Sequence, residues 1–215
     1  MKVFAINGSP RRQGNTATLL NHALEGARSV GAETELVHLY DLDYKGCRSC
    51  FSCKKHAGPS YGRCAAKDGL TPLLEAIPSA SAIILGSPIY CMHVTGEMRS
   101  FFERLTYPYL EYAEPLRSIY PGKLKIGLLY TMNMSEKAMQ FSGLERSLAV
   151  TCDVVSLIFG PPEVLYSFDT MEFDDCSQYV SSSFDVAQKA KRREEDFPIA
   201  CRHAYEMGTR LAARV

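Results

Sequence analysis

The sequence lacks an excess of charge of either sign. Lys plus Arg and Asp plus Glu number 24 each, so the formal net charge at neutral pH is zero. A balanced chain of 215 residues offers no electrostatic argument for binding nucleic acid or an anionic membrane surface. The composition therefore favours neither class of partner.

Long apolar runs and targeting signals are also missing. No apolar stretch approaches the roughly 20 residues that cross a bilayer. The N-terminus passes directly into the apolar run 3–6, without the order of a signal peptide. We therefore expect a cytoplasmic protein with no membrane segment. In that compartment, the eight cysteines predict free thiols, a metal site or redox chemistry rather than a disulfide framework.

Internal repeats, low-complexity linkers and domain boundaries are absent as well. The length and the apolar content of 46% fit one α/β domain spanning 1–215. Predicted strands lie at 34–40, 82–85, 123–130 and 154–159, after a first strand at 3–6. Predicted helices lie at 15–30, 70–77, 95–110 and 135–150, followed by a helical tail at 174–215 whose second piece begins at Pro198. This alternation predicts a doubly wound parallel sheet with helices on both faces.

What the sequence does have is a polar loop between the first strand and the first helix. A helix N-terminus presents unpaired N–H groups and a partial positive charge. Hydroxyl, amide and guanidinium donors lie in this loop around a glycine: Ser9, Arg11, Gly14, Asn15 and Thr16. A plain capped turn is the alternative for Asn15 and Thr16 alone, but such a turn has no need of Arg11. The set predicts a phosphate-binding loop.

Two common nucleotide-binding patterns are absent from this loop. Five residues separate Gly8 from Gly14, and Asn15 stands where a Walker A motif has its lysine. No glycine triplet of the dinucleotide-binding type follows the strand. A loop with hydroxyls, the guanidinium of Arg11 and no acidic metal ligand favours a terminal monophosphate such as that of FMN.

The loops that follow the other strands should lie on the same rim of the sheet. Pro88, Ile89 and Tyr90 follow the third strand. Backbone N–H groups there can meet flavin carbonyls, and Tyr90 can contact the ring. Alone, Tyr90 would more readily be a core or interface residue, but together with the polar loop a flavin contact is favoured.

In these motifs the chain resembles the NADPH-dependent FMN reductase and iron–sulfur flavoprotein group of the flavodoxin-like superfamily. The resemblance rests on motifs at 7–11 with 15–16, 86–90 and 96–104, in that order, within residues 1–135. It implies a flavodoxin-like fold with strand order 2-1-3-4-5 and non-covalent FMN. It also implies two-electron chemistry with NAD(P)H and a small acceptor such as a quinone or a flavin.

The resemblance further implies roles for particular residues. The loop at 9–16 would hold the FMN phosphate, and 88–90 would border the isoalloxazine ring. Met132 and Asn133 would approach the other side of the ring. Members of this group usually pair across the flavin, so a homodimer or homotetramer is expected. No catalytic side chain beyond the flavin is predicted, because no Ser/His/Asp set or pair of carboxylates stands out.

Four cysteines lie in the irregular segment 41–68, which we call the cysteine segment: Cys47, Cys50, Cys53 and Cys64. Such a set can ligate a [4Fe–4S] cluster, as in iron–sulfur flavoproteins. The ten residues between the last two cysteines exceed that group's usual gap. Redox-active thiols and a zinc site are the alternatives, although the close spacing is tight for zinc. A cluster would favour an electron-transfer protein with a ferredoxin-like partner. If the flavin loop is not functional, a zinc site or redox-active thiols would favour a non-enzymatic redox or zinc-binding module.

Residues 191–196 mix cations and anions and predict a solvated helix face.

The nucleotide preference and the electron acceptor stay open at this level. No basic cleft that would hold the extra phosphate of NADPH is evident. The preference between NADH and NADPH, like the acceptor, is therefore not readable from the sequence.

Overall fold

The chain alternates strands and helices as expected. The computed structural model describes residues 1–173, 175–180, 182–183 and 185–213. Its elements, in order, are β1 (Lys2–Asn7), α1 (Asn15–Ser29), β2 (Glu33–His38), α2 (Thr71–Ala76), β3 (Ala82–Tyr90), β4 (His93–Val94), α3 (Gly96–Thr106), β5 (Leu110–Glu111), β6 (Arg117–Ser118), β7 (Lys125–Thr131), α4 (Glu136–Ser142), α5 (Leu144–Phe159), β8 (Glu163–Ser167) and α6 (Val186–Ala212). Five strands form a parallel sheet in the order β2-β1-β3-β7-β8, which confirms the flavodoxin-like fold.

Each central strand divides its side chains between two helical layers. On β1, Val3 and Ala5 pack with residues of α1 and α6, whereas Phe4 and Ile6 pack with residues of α3 and α5. Successive side chains of a strand point to opposite faces, so a strand covered on both faces needs a continuous apolar run. The apolar run 3–6 therefore reflects a sheet with helices on both sides.

The fifth strand is not where the sequence predicted it. Residues 154–159 are the end of α5, and the strand is β8, Glu163–Ser167. Val155 and Ile158 are the buried residues of this part of α5, at the three-residue spacing of one helix face. A short apolar run does not distinguish a strand from a buried helix segment, and here packing of the helix face against the sheet decides.

Two helical predictions are also wrong in detail. The predicted helix 135–150 is divided at Gly143, whose φ of +79° ends α4 before α5 begins. In the tail, α6 continues through Pro198 instead of beginning there. The side chain of Asp185 caps its first turn, and its second half is buried against α1, which together outweigh the lost hydrogen bond at proline. Of the predicted tail, residues 174, 181, 184, 214 and 215 lie outside the described residues.

The helix α6 crosses α1 at backbone contact. A Cβ atom at Gly208 would lie 1.8 Å from the carbonyl oxygen of Ala23, and one at Gly26 would lie 1.9 Å from that of Tyr205. Only hydrogen atoms fit at this crossing. Although α6 has 27 residues, neither it nor any other helix in the described ranges is apolar enough to span a membrane.

Candidate functional site

Three loops that are far apart in sequence line one cleft at the carboxyl ends of β1, β3 and β7. All ten candidate flavin contacts lie on it: Ser9, Arg11, Gly14, Asn15, Thr16, Pro88, Ile89, Tyr90, Met132 and Asn133. The strand order reverses between β1 and β3, and such switch points open a crevice at the carboxyl edge of the sheet. The topology thus explains why these residues meet, and we call this the flavin cleft.

The polar loop after β1 is ordered by its own hydrogen bonds. Asn7 Oδ1 accepts from the Ser9 N–H at 3.0 Å, and Ser9 Oγ accepts from the Arg11 N–H at 3.1 Å. Thr16 Oγ1 lies 2.7 Å from Thr131 Oγ1, which joins the start of α1 to the end of β7. The hydroxyls of this loop are therefore held in place before any ligand arrives.

The N-terminus of α1 lies beside these hydroxyls on the flavin cleft. Its N-cap residue is Gly14, which makes no side-chain hydrogen bond to the first turn. The first N–H groups of a helix need partners from outside it, and an anion is a suitable one. The plain capped turn that competed with a phosphate loop at the sequence level is therefore not what forms here.

The predicted open loop 86–90 is instead the end of β3 and forms a hairpin with β4. The strand β3 continues to Tyr90, where Ile89 and Tyr90 pair with Val94 and His93 of β4. Tyr90 remains 42% exposed at the edge of the flavin cleft. Because a pleated hairpin holds alternate side chains on opposite faces, the extra pairing fixes the direction of this ring.

A buried threonine joins this hairpin to the polar loop. Thr95 Oγ1 donates to the Gly8 carbonyl at 2.6 Å, and the Thr95 N–H donates to Ser87 Oγ at 3.1 Å. Thr95 also caps α3, since its side chain accepts from the Met98 N–H. The two walls of the cleft are thus tied through one residue that sequence reasoning did not select.

A fourth segment, also missed from the sequence, covers the outer side of the cleft. Residues 170–172 follow β8 and line the cleft. The Arg11 guanidinium donates to the Glu172 carbonyl, and Asn15 Nδ2 donates to the Met171 carbonyl at 2.8 Å. A correct placement of the fifth strand would have predicted this loop on the rim.

Asn133 has an incomplete set of hydrogen bonds. Its Nδ2 donates to Glu172 Oε2 at 2.5 Å, and its carbonyl accepts from Lys189 Nζ at 2.8 Å. Its Oδ1 is buried and has no partner among the described residues. An unpaired buried acceptor costs about 1–3 kcal/mol, so a ligand N–H here would be stabilising. Donors on the polar loop and this acceptor on the segment after β7 line the same cleft and fit FMN, whose ring carries an N–H.

The first half of α6 brings cations to the same edge. The Arg193 guanidinium donates to Asn15 Oδ1, and Arg192 Nη1 lies 3.0 Å from Asp169 Oδ2. The predicted solvated face holds, since 191–196 are exposed except for half-buried Arg192, but these two arginines also make contacts that the prediction did not include. Since α6 is remote in sequence from the polar loop, only the α1–α6 packing could have revealed this contact.

The cysteine segment is anchored along α3. Arg104 is 3% exposed, and its Nη1 donates to Asp68 Oδ2 at 2.5 Å and to the Lys45 carbonyl at 3.1 Å. Partial burial alone would raise the pKa of Asp68, but the Arg104 hydrogen bond and the Leu70 N–H hold that pKa below its usual range. The segment is therefore held at its C-terminal end by an ion pair between buried Arg104 and partly buried Asp68.

The four cysteines do not share one environment. Their exposure ranges from open to buried: Cys47 and Cys50 are exposed, Cys64 is partly buried and Cys53 is buried. Within the ranges that the structure describes, no group of three His, Cys, Asp or Glu residues is placed to hold a metal ion. The arrangement does not fit a cluster as it stands, and the iron–sulfur hypothesis stays a prediction.

The thiols should differ in reactivity. Hydrogen bonds from the Ser52 backbone and side chain lower the pKa of Cys50, whereas burial raises the pKa of Cys53. Near pH 8 the thiolate fraction is therefore larger for Cys50. We expect iodoacetamide to modify Cys50 at least about tenfold faster than Cys53, as read by fragmentation of the peptide containing both. Equal rates would contradict this arrangement, and protection of all four thiols until a chelator is added would indicate a bound metal.

The fold and the cleft define a flavodoxin-like α/β protein with a polar cleft at the switch point of the sheet. The sequence matches the NADPH-dependent FMN reductase family over residues 1–135. This is more than half of the chain, and the protein belongs to that family.

The chain is similar in sequence to archaeal proteins named iron–sulfur flavoproteins. One from Methanocaldococcus jannaschii is 31% identical over 146 residues, which cover 68% of this chain and 69% of that protein. One from Archaeoglobus fulgidus is 38% identical over 104 residues, which cover 48% of each. The chain thus spans about half the length of the A. fulgidus relative.

Solved structures share the fold over nearly the full chain. An NAD(P)H:quinone oxidoreductase from Methanothermobacter marburgensis has a TM-score of 0.71 and 16% identity, covering 100% of this chain and 98% of that one. An FMN-dependent NADH-azoreductase from Bacillus anthracis in complex with FMN has a TM-score of 0.66 and 12% identity, covering 99% and 100%. At these identities the likeness shows the fold.

Proposed function

We propose that this protein binds FMN in the flavin cleft and is an oxidoreductase that takes electrons from NAD(P)H and passes them to a small acceptor such as a quinone or a flavin. The observation that carries the proposal is the meeting of ten candidate contacts, from three separate loops, on one cleft. Membership of the NADPH-dependent FMN reductase family supports it.

In this proposal each wall of the cleft has a distinct task. The phosphate binds at the N-terminus of α1, where Ser9, Arg11 and Thr16 contact it. Arg11 and Asn15, which now donate to the carbonyls of 171–172, would then donate to the phosphate instead. Asn133 Oδ1 accepts from the ring, and Tyr90 limits how the ring lies. Bound FMN supplies hydride chemistry, and the chain supplies binding and orientation.

The test is reconstitution followed by reduction without air. Apoprotein is titrated with FMN while flavin fluorescence is followed, and the loaded protein is then mixed with NADPH or NADH. We expect saturable binding of about one FMN per chain and loss of the absorption band near about 450 nm. Addition of a quinone should restore the band.

Two results would overturn the proposal in different ways. Failure to bind FMN would remove the flavin from the function altogether. Binding without reduction by either nucleotide would leave a flavoprotein with another electron donor. Riboflavin serves as the matched ligand without phosphate, so a preference for FMN over riboflavin reports the polar loop itself.

A second candidate is an electron-transfer flavoprotein with a cluster on the cysteine segment and a ferredoxin-like partner. It is supported by the names of the archaeal relatives and by four cysteines on one segment. The same anaerobic preparation is analysed for iron and sulfide. About four of each per chain would favour this candidate, and their absence together with rapid reduction by NADPH would favour the first.

A further inference from the structure

A second cleft adjoins the flavin cleft on its outer side, and we call it the outer cleft. It is lined by Arg11, Gln13, Gly14, Asn15, Met171, Glu172, Phe173, Tyr179 and Arg193. Its volume of about 650 Å³ lies within the range of roughly 300–1,000 Å³ typical of ligand sites. Five lining residues are shared with the flavin cleft, so a molecule in one cleft can reach the other.

The outer cleft contains a stacked aromatic pair. The rings of Phe173 and Tyr179 have centroids 4.0 Å apart and planes 13° from parallel. Tyr179 is 52% exposed while lining the cleft. Nucleic-acid bases stack on aromatic side chains, so this pair is suited to a flat base such as adenine.

The outer cleft is also basic, and neighbouring side chains hold the guanidinium of Arg193 in place. The Arg193 guanidinium donates to Asn15 Oδ1, and its Cζ lies 4.2 Å from the centroid of the Phe197 ring. A guanidinium held in this way loses less freedom when it pairs with a phosphate, which it can bind through two parallel hydrogen bonds. Among the lining residues two arginines face one carboxylate, that of Glu172, whose Oε2 already accepts from Asn133.

We propose that the outer cleft binds the adenosine half of NADPH, with Arg193 paired to the 2′-phosphate and the Phe173–Tyr179 pair stacked on the adenine. The inference rests on the proposed function, because a nucleotide held here adjoins the flavin cleft through the five shared lining residues. Arg11 belongs to the polar loop that binds the flavin phosphate, which leaves Arg193 as the arginine that distinguishes NADPH from NADH.

The first experiment compares variants of the FMN-loaded protein with both nucleotides. Arg193→Ala should raise the KM for NADPH by about tenfold or more while kcat and the KM for NADH change less than about threefold. Lys191→Ala removes a cation from the same helix, one that is paired with Glu195 at 3.9 Å, and should change neither KM. The NADPH-to-NADH ratio within each variant cancels any change in FMN binding through Asn15.

An equal loss with both nucleotides would overturn the assignment of Arg193. Tyr179→Ala gives the complementary pattern, since loss of stacking should weaken both nucleotides to the same extent. If Tyr179→Ala leaves both KM values unchanged, the adenine does not lie on this pair.

A binding measurement separates this inference from the proposed function. Calorimetry of FMN-loaded protein with adenosine 2′,5′-bisphosphate and with 5′-AMP needs no turnover. We expect the bisphosphate to bind about tenfold more tightly, and Arg193→Ala to remove the difference. Equal affinities in the unaltered protein would overturn the inference. Lack of reduction by either nucleotide, with the preference for the bisphosphate intact, would instead overturn the proposed function.

Discussion

Replacement of Arg11 by alanine is expected to weaken FMN binding by about tenfold to a hundredfold. A charge-assisted hydrogen bond to phosphate is worth about 1.5–3 kcal/mol, and Arg11 lines the flavin cleft whereas the neighbouring Arg12 is not among its lining residues. Fluorescence titration of apoprotein with FMN measures the change. Because the guanidinium now donates to the Glu172 carbonyl, the substitution also releases one bond to the covering segment.

Two controls separate the phosphate contact from damage to the loop. Riboflavin has no phosphate and should bind Arg11→Ala as it binds the unaltered protein. Arg12→Ala removes the neighbouring guanidinium, which pairs with Asp41 at 2.5 Å, and should leave FMN affinity within about twofold. An equal loss of FMN and riboflavin would show that Arg11 acts through the shape of the loop.

Replacement of Gly208 by alanine is expected to lower the free energy of unfolding by about 2–4 kcal/mol. A Cβ atom there would lie 1.8 Å from the Ala23 carbonyl oxygen, a backbone atom that no rotamer change can move. The two helices would have to separate along their shared core. The intrinsic preference of a helix for alanine offsets only about 1 kcal/mol of this cost. Thermal unfolding should shift downwards by about 5–10 °C.

Gly96→Ala is the matched substitution. Gly96 is also helical, but a Cβ atom there would meet nothing within 4 Å. It should be neutral or slightly stabilising. If Gly208→Ala were equally neutral, α6 would not pack on α1 at the described distance.

The sequence was sufficient for the central architecture and for most of the flavin cleft. The run 3–6, the donors after it and the motif at 86–90 each combine a local pattern with a position directly after a strand. In a parallel sheet that position is enough to bring residues together, because all the carboxyl ends lie on one edge. All ten candidate contacts therefore meet, although their roles stay predictions.

The missed residues were those that depend on contacts distant in sequence. The run 154–159 has the composition of a strand, and only burial of one helix face shows otherwise. That error displaced β8 and removed 170–172 from the predicted rim. Arg193 was missed for a different reason, since a charged residue on a long helix has no local signal of what it faces. Its contact with Asn15 exists only because α6 crosses α1.

Because α6 contacts the backbone of α1 at Gly208, a change at this crossing would tilt α6 and displace its other end. Arg193 lies about 15 residues away along the helix, or roughly 22 Å at a rise of about 1.5 Å per residue. A tilt of about 5° at Gly208 therefore moves Arg193 by about 2 Å, which is enough to break its hydrogen bond to Asn15. If the outer cleft binds NADPH as proposed, a methyl group at the far end of the helix would alter the choice between NADPH and NADH without touching any atom of that cleft.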